Sequence, residues 1–247
     1  MQATAKNPPA FPVRVEADPD ESLSRWLWLV KWLLLIPHYF LLAFLWTAFV
    51  VVTVIAFFAI LFTTRYPRPL FDFNLGVLRW TWRVAYYTTG AFATDRYPPF
   101  SLGVRPEYPA RLTIEFPERL SRGLVLVKWW LLAIPHYLVV GILTAPPSGG
   151  EQFSPPGLIT LLAFFAIIAV AFTAVYPRGL FDLIIGLNRW VLRVAAYVAL
   201  MTDAHPPYRL DQGPREPGPE EPTTLPGPGH EMGEVSGATD RRSPGAG

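Results

Sequence analysis

The sequence of 247 residues has no cysteine, only four histidines and little charge, since Asp, Glu, Lys and Arg make up 16% of it. The lack of cysteine excludes disulfide bonds, thiolate metal sites and thiol nucleophiles. The net charge is only +2 and the arginines are spread along the chain, so the pattern is not that of a nucleic-acid-binding face. Hydrophobic residues make up 51% of the chain, and the mean hydropathy is +0.29. This composition is typical of a membrane protein.

Three motifs in the first part of the chain return in the same order in the second part. They are LSRWLWLVKWLLLIPHY at 23–39 with LSRGLVLVKWWLLAIPHY at 120–137, YPRPLFDFNLGVLRWTWRVAYY at 66–87 with YPRGLFDLIIGLNRWVLRVAAY at 176–197, and TDRYPPF at 94–100 with TDAHPPY at 202–208. The second copy of the first motif has one extra residue. The sequence therefore predicts two tandem repeats, 23–104 and 105–210, after an amino-terminal cytoplasmic segment, 1–22.

The second repeat is longer than the first by 12 further residues, which fall in the stretch 145–157. Proline and glycine in this stretch predict a loop. Because insertions are tolerated at exposed connections, we expect a turn at the matching point of the first repeat, Trp46 and Thr47. The apolar runs then divide into two antiparallel hairpins of helices, each helix near the ~20 residues that span a bilayer. The predicted spans are 26–45, 48–64, 124–144 and 158–175.

A further helix is predicted after each hairpin, at 70–93 and at 180–200. On a helical period, polar and small residues form a stripe along each of them. The stripes are Asp72, Gly76, Arg79, Arg83 and Tyr87, and Asp182, Gly186, Arg189, Arg193 and Tyr197. If only the hairpins cross the membrane, nearly all Lys and Arg residues stay on one side, which the positive-inside rule assigns to the cytoplasm. We therefore predict interfacial amphipathic helices, and both termini in the cytoplasm.

Short runs that alternate between apolar and polar residues predict small cytoplasmic strands, with extended loops as the alternative. These runs are 12–17, 100–104, 110–116 and 208–211. Beyond Leu210 the chain is rich in proline, glycine and glutamate. Such a composition buries too little apolar surface to offset the entropy of ordering, so 211–247 is predicted to be a disordered tail.

The order of the motifs resembles a known family. An apolar hairpin is followed by Tyr-Pro-Arg-x-Leu-Phe-Asp, then by Gly-x-x-Arg-Trp-x-x-Arg-Val and then by Thr-Asp-x-x-Pro-Pro-aromatic. This succession resembles the bacterial membrane family named domain of unknown function 4389, over about 20–100 and 117–210. The resemblance implies a membrane fold that occurs twice in tandem, and a location in the bacterial inner membrane. It implies no catalytic residue and no cofactor.

The Ile-Pro-His-Tyr motif of each repeat places polar side chains near the middle of the predicted membrane, where such groups are candidates for function. These candidates are His38, Tyr39, His136 and Tyr137. If the two histidines meet at the repeat interface, they suit a proton relay or a ligand site, whereas two histidines alone leave a metal shell incomplete. The alternative is structural, since a His or Tyr side chain can satisfy the carbonyl that proline frees at a kink.

Arginines near the predicted interface form a second candidate site, because guanidinium groups bind phosphate through paired hydrogen bonds. The candidates for lipid or anion binding are Arg68, Arg79, Arg83, Arg178, Arg189 and Arg193. The alternative is that Asp72 and Asp182 pair with these arginines and lock the amphipathic helices to the bundle.

The sequence has no P-loop, nucleophile elbow or dinucleotide fingerprint, so we expect no enzymatic activity, metal or cofactor. The predicted function is that of a non-enzymatic envelope scaffold or accessory subunit. The expected partners are the lipid bilayer with anionic head groups, and a second copy of the chain or another membrane protein. The alternative is a small transporter or channel with a pathway at the repeat interface, near the two Ile-Pro-His-Tyr motifs.

Overall fold

The computed structural model describes residues 11–20, 23–145, 148–149, 153–154, 156–208 and 210–215. These residues are mostly helical, with seven α-helices, one π-helical turn and two small antiparallel sheets of two strands each. The helices are α1 (Trp28–Leu34), α2 (Ile36–Thr63), α3 (Arg68–Tyr87), α4 (Arg122–Val127), α5 (Ile134–Thr144), α6 (Leu158–Thr173) and α7 (Arg178–Val198). The strands are β1 (Val13–Ala17), β2 (Ala110–Ile114), β3 (Ser148–Gly149) and β4 (Phe153–Ser154). A mainly helical fold with short strands is thereby confirmed.

Helix α2 runs without a break through Trp46 and Thr47, so the turn and the first hairpin that the sequence predicted are wrong. The reason is local, because this apolar run has no glycine and its one proline, Pro37, lies in the first turn, where proline is tolerated. The helix ends at Thr64, whose backbone is left-handed with a φ of 61°. Among the described helices, α2 alone is both long and apolar enough to cross a membrane.

The second half builds a matching length of helix as two pieces, α5 and α6. Helix α5 contacts the carboxyl-terminal part of α7, where the rings of His136 and Trp190 stack. Helix α6 leads to Tyr176, whose ring contacts Phe181 near the start of α7. The two helices therefore lie one after the other along α7, as the two ends of α2 lie along α3. The second predicted hairpin is not confirmed.

The inserted stretch leaves the helix and returns to it at one point. The Gly157 N–H donates to the Ala145 carbonyl at 2.8 Å. A Cβ on Gly157 would come within 2.6 Å of the Ala145 nitrogen, so this close approach requires glycine. Strands β3 and β4 belong to this stretch, and its other residues, 146–147, 150–152 and 155, lie outside the described part of the chain.

The single extra residue before the second Ile-Pro-His-Tyr motif coincides with the π-helical turn, Lys128–Leu132. A π-turn accommodates one added residue inside a helix. As a result Lys128 and His136 are both buried, as are Lys31 and His38 in the first half.

Strands β1 and β2 pair across the two halves, with Val15 opposite Leu112. They confirm two of the predicted strands, 12–17 and 110–116. Within their described residues, no strand forms at the other two runs, 100–104 and 208–211.

The sheet, the amphipathic helices and the apolar helices form three layers. Helices α3 and α7 are the middle layer and lie where helices were predicted, at 70–93 and 180–200, although α3 ends six residues earlier than predicted, at Tyr87. On the sheet side of α3, Arg79 Nε donates to the Leu112 carbonyl at 3.0 Å. On its other side, Asn74 donates to the Thr53 hydroxyl of α2 at 3.0 Å. The middle layer thus has polar chain above it and apolar helices below it.

Candidate functional site

The stripe arginines of α3 and α7 bind strands of the opposite half. Arg79 of the first half donates to the carbonyl of Leu112 on β2 at 3.0 Å. Arg189 of the second half donates to the carbonyl of Val15 on β1, at 3.1 Å from Nε and 2.9 Å from Nη2. Because Val15 and Leu112 face each other in the sheet, the two contacts are reciprocal. They relate the halves by an approximate twofold axis through the sheet.

The next arginines along the stripe bind loops of their own half. Arg83 donates to the carbonyls of Ser101 at 2.7 Å and Gly103 at 3.1 Å. Burial lowers the pKa of Arg83 to about 10, so the side chain stays charged at neutral pH. Arg193 forms an ion pair of 2.7 Å with Asp211. These four arginines, proposed from the sequence for lipid phosphate, are directed at the protein's own oxygen atoms.

Asp211 lies in the stretch that the sequence assigned to a disordered tail, and for 211–215 that prediction is wrong. Arg189 also donates to the carbonyls of Asp211 and, at 2.9 Å, Gly213. The Pro214 carbonyl accepts the Ala17 N–H at 2.9 Å and so extends the polar layer beside β1. The residues from 216 onward lie outside the described part of the chain. The composition of 211–215 gave no sign of these contacts, because most of them are made by backbone carbonyl groups, which every residue has.

The other candidate arginines, Arg68 and Arg178, are exposed at the starts of α3 and α7. Arg68 forms a solvent-exposed ion pair of 3.3 Å with Asp72, one helical turn away. The ring of Phe116 also lies under its guanidinium group, at 4.5 Å. Asp182 is partly buried at the matching position of α7.

A second reciprocal contact joins the halves through the tyrosines of the two Tyr-Pro-Arg motifs. The Tyr176 hydroxyl donates to the Ala91 carbonyl at 2.6 Å, and the Tyr66 hydroxyl to the Ala199 carbonyl at 3.5 Å. Burial raises the pKa of Tyr66 to about 12, against the effect of a hydrogen bond from Asn74. Both hydroxyls therefore stay protonated and act as donors at neutral pH.

Each half also contains one buried lysine. Lys31 binds the Asp95 carboxylate at 2.9 Å, and Lys128 binds Asp203 at 2.7 Å. Both lysine side chains are closed inside the protein. The sequence did offer a sign of these ion pairs, because a Thr-Asp pair stands at the same place in both repeats.

The ring of His38 is enclosed by aromatic side chains of its own half. Its Nδ1 accepts a hydrogen bond of 2.9 Å from the Trp80 indole, so the neutral ring carries its proton on Nε2. Phe100 stacks on the ring at 3.9 Å. The neighbouring Tyr97 donates to the Leu34 carbonyl at 2.9 Å, where α1 ends. This hydrogen bond ties the Pro-Pro motif to the end of α1.

His136 lies in a different aromatic set, again of its own half. Its ring stacks on Trp190 at 5.4 Å and contacts His205 at 4.8 Å and Tyr208 at 4.9 Å. The indole of Trp190 donates to the Pro207 carbonyl at 3.1 Å instead of to the histidine. The Nε2 atoms of both histidines are buried and have no partner among the described residues. The other two motif residues, Tyr39 and Tyr137, are exposed on the apolar layer.

The described residues contain no group of three or more His, Asp or Glu side chains that suits a metal ion. Between the halves, α2, α5 and α7 line a cavity of about 740 Å³. Its lining is almost entirely apolar, with Thr53 and Tyr137 among the few polar side chains.

The lower surface of the apolar helices is exposed over its whole length. Large side chains without cover include Phe40, Phe44, Val51, Val54, Phe58 and Phe62 on α2, and Leu138, Ile142, Phe164, Phe165 and Phe172 on α5 and α6. Trp26 and Trp32 are exposed at one end of α2, and Arg65 and Arg68 at the other. An apolar surface of this extent marks a membrane or protein interaction site.

The family described as Domain of unknown function (DUF4389) matches residues 25–101 and 157–209, which together are more than half of the chain. The first segment covers α1 to α3 and the loop after them, and the second covers α6, α7 and the loop after them. Comparison with curated proteins and with solved structures finds no match. On the evidence of the two matched segments, the chain belongs to the DUF4389 family.

Proposed function

We propose that the protein is a non-enzymatic scaffold or accessory subunit embedded in the bacterial inner membrane, where it binds lipid head groups. The observation that carries this proposal is the apolar layer. In the most apolar window of α2 only 17% of the residues are buried, whereas the core helix of a soluble protein is mostly buried. Water solvates such a surface poorly, and a bilayer covers it at no cost in unpaired polar groups.

Head-group binding is proposed for Arg68 and Arg178, which are exposed beside the apolar layer. Each basic residue near an anionic membrane surface contributes about 1 kcal/mol to binding. Exposed Trp26 and Trp32 suit the same interface, because their rings combine an apolar body with a polar N–H. The stripe arginines act in this proposal as internal ties that fix α3 and α7 to the sheet.

The test is flotation of the purified protein with vesicles of phosphatidylcholine, with or without phosphatidylglycerol. The double variant Arg68→Gln, Arg178→Gln is expected to lose about fivefold in affinity per arginine for the anionic vesicles and nothing for the neutral ones. The matched control is Arg14→Gln with Arg105→Gln, which removes two exposed arginines of the polar layer and leaves binding unchanged.

The apolar part of the proposal has its own variant, Phe44→Glu with Phe58→Glu, at two exposed positions of α2. We expect this variant to lose binding to both kinds of vesicle, because each buried charge costs ~2.5–3.5 kcal/mol. Unchanged flotation of this variant would overturn membrane insertion. Unchanged binding of the arginine variant to anionic vesicles would overturn the head-group site alone.

A further inference from the structure

Both ends of α2 are held by one continuous charged segment, residues 94–122. At the amino-terminal end, Tyr97 donates to the Leu34 carbonyl at 2.9 Å. At the carboxyl-terminal end, the Leu120 N–H donates to the Thr64 carbonyl and Arg122 to the Phe62 carbonyl, each at 2.9 Å. A helix of 28 residues is ~42 Å long, so this segment runs beside it over nearly its full length.

This segment cannot lie in lipid hydrocarbon. Its exposed charged residues are Arg96, Arg105, Glu107, Glu115, Glu118, Arg119 and Arg122. Each would cost ~2.5–3.5 kcal/mol at mid-membrane on insertion scales.

Helix α3 lies between this segment and α2 and runs antiparallel to α2. Successive contacts along α2 meet α3 in reverse order, from His38 with Trp80, through Thr53 with Asn74, to Tyr66 with Phe71. The opposite side of α3 carries the polar cover, from Phe71 with Phe116 to Arg83 with Ser101. The three elements are therefore stacked side by side over one length, with the charged segment on one outer side of the stack and α2 on the other.

We propose that α2, although long enough to cross a bilayer, lies in the plane of a single leaflet, with the sheet outside the membrane. This inference rests on the proposed membrane location and specifies it. A helix is about 10–12 Å across, and one leaflet contributes about half of the ~30 Å hydrocarbon core, so the apolar layer fits within one leaflet.

The second half supports the same placement. Helix α5 begins beside Tyr208, whose ring contacts His136 at 4.9 Å. After α6 the chain reaches Tyr176, whose hydroxyl binds the Ala91 carbonyl at 2.6 Å. Both outer ends of the α5–α6 pair thus return to the polar loops that follow α3 and α7. The partner of this surface is the hydrocarbon of one leaflet.

The test measures depth along α2 with single cysteines, for which the cysteine-free chain is a clean background. The positions are Phe40→Cys, Val51→Cys and Phe62→Cys, whose native side chains are 64%, 54% and 72% exposed. Steps of 11 residues turn a helix by three turns and ~20°, so the three positions share one face. Each variant carries a small fluorophore in phosphatidylcholine–phosphatidylglycerol vesicles, and quenching is compared for lipids brominated near the head group and near the chain end.

For a helix in one leaflet we expect the same ratio of deep to shallow quenching at all three positions. A crossing helix gives a ratio several-fold higher at Val51 than at Phe40 and Phe62, and this profile would overturn the single-leaflet placement while leaving membrane insertion intact. Absence of quenching at all three positions would overturn the proposed function itself. The control is Glu115→Cys on the exposed side of the sheet, which neither lipid should quench.

Discussion

The two halves of the molecule share two pairs of the contacts that join them, and they differ in their apolar helices and around their histidines. Arg79 and Arg189 bind facing strands, and Tyr66 and Tyr176 bind matching carbonyls across the interface. By contrast, α2 is one helix where the second half has α5 and α6. Contacts across a twofold interface occur in pairs, so a change on one side also disturbs the geometry that the other side needs.

The histidine surroundings show the same division. His38 accepts the Trp80 indole N–H, whereas His136 stacks on the face of Trp190, whose N–H turns to a carbonyl. In the second half His205 stands where the first half has Tyr97. These changes are local, because both halves keep the nearby lysine–aspartate ion pair, Lys31 with Asp95 at 2.9 Å and Lys128 with Asp203 at 2.7 Å. The comparison indicates that the histidines fill space within each half, while the arginines and tyrosines hold the halves together.

The largest loss of stability is expected when the arginine hydrogen bonds between the halves are removed. Arg189→Met removes hydrogen bonds to the carbonyls of Val15, Asp211 and Gly213 from a fully buried position. It should lower the free energy of unfolding in mild detergent by about 3 kcal/mol or more, because hydrogen bonds to charged groups contribute about 1.5–3 kcal/mol each. Arg79→Met removes one such bond from a half-buried position and should cost about 1–2 kcal/mol.

The control for this pair is Arg14→Met, on the exposed face of β1, which should change stability by less than about 0.5 kcal/mol. Arg189 bonds more carbonyl groups than Arg79, so equal losses of stability for Arg189→Met and Arg79→Met would contradict this prediction.

Removal of the tyrosine hydrogen bonds between the halves should lower stability by less, and again by different amounts for the two tyrosines. Tyr176→Phe removes a donor at 2.6 Å from the Ala91 carbonyl and should cost about 1–2 kcal/mol in the same unfolding measurement. Tyr66→Phe should cost about half as much, because its bond to Ala199 is 3.5 Å long. A larger loss for Tyr66→Phe would show that its hydrogen bond from Asn74 dominates the site.

Two matched helix ends provide a stabilising test. Thr64 and Ala174 both adopt the left-handed backbone, with φ of 61° and 58°, after α2 and α6. Glycine avoids the penalty that a side chain meets there, so Thr64→Gly and Ala174→Gly should each raise stability by about 0.5–1 kcal/mol. Thermal unfolding is the measurement, and Ala59→Gly, inside α2, should be destabilising by about 1 kcal/mol. A loss of stability for both end variants would refute the assigned backbone strain.

The smallest effect is expected when the insertion is removed. Replacement of residues 145–157 by one threonine, as at Thr47, should fuse α5 and α6 into a helix like α2. We expect a change in stability within about 1 kcal/mol, because the ends of the insertion already meet, together with a rise in helical circular dichroism. Loss of the fold would show that the loop itself supports the second half.

Several elements could be predicted from the sequence because their signals are local. Repeated motifs, a stripe of helical period and alternating runs located α3, α7, β1 and β2 within a few residues. The turn at Trp46 and Thr47 was mispredicted because the insertion in the second repeat was taken to mark a turn in both repeats. Nothing in the apolar sequence around these two residues indicates whether one helix continues or two helices meet. The insertion marks where a loop is tolerated, and not where a turn is required.

The candidate site divides in the same way. Sequence spacing found the arginines, histidines and tyrosines, but it did not give their partners. Most of the oxygen atoms that accept from the stripe arginines are backbone carbonyls, among them those of Val15, Ser101, Gly103, Leu112, Asp211 and Gly213. Every residue carries such an acceptor, so the choice leaves no mark in the sequence.

The sequence by itself determined the membrane-like composition, the two copies of one motif series, and the positions of the amphipathic helices. Only the tertiary structure decided that the arginines point inward, that the halves exchange contacts across the β1–β2 pair, and that a charged segment runs beside α2 over nearly its full length. The physical reason is range. Periodicity and turn chemistry act over a few residues, whereas the Val15–Leu112 pairing and the contacts at both ends of α2 join residues far apart in the chain.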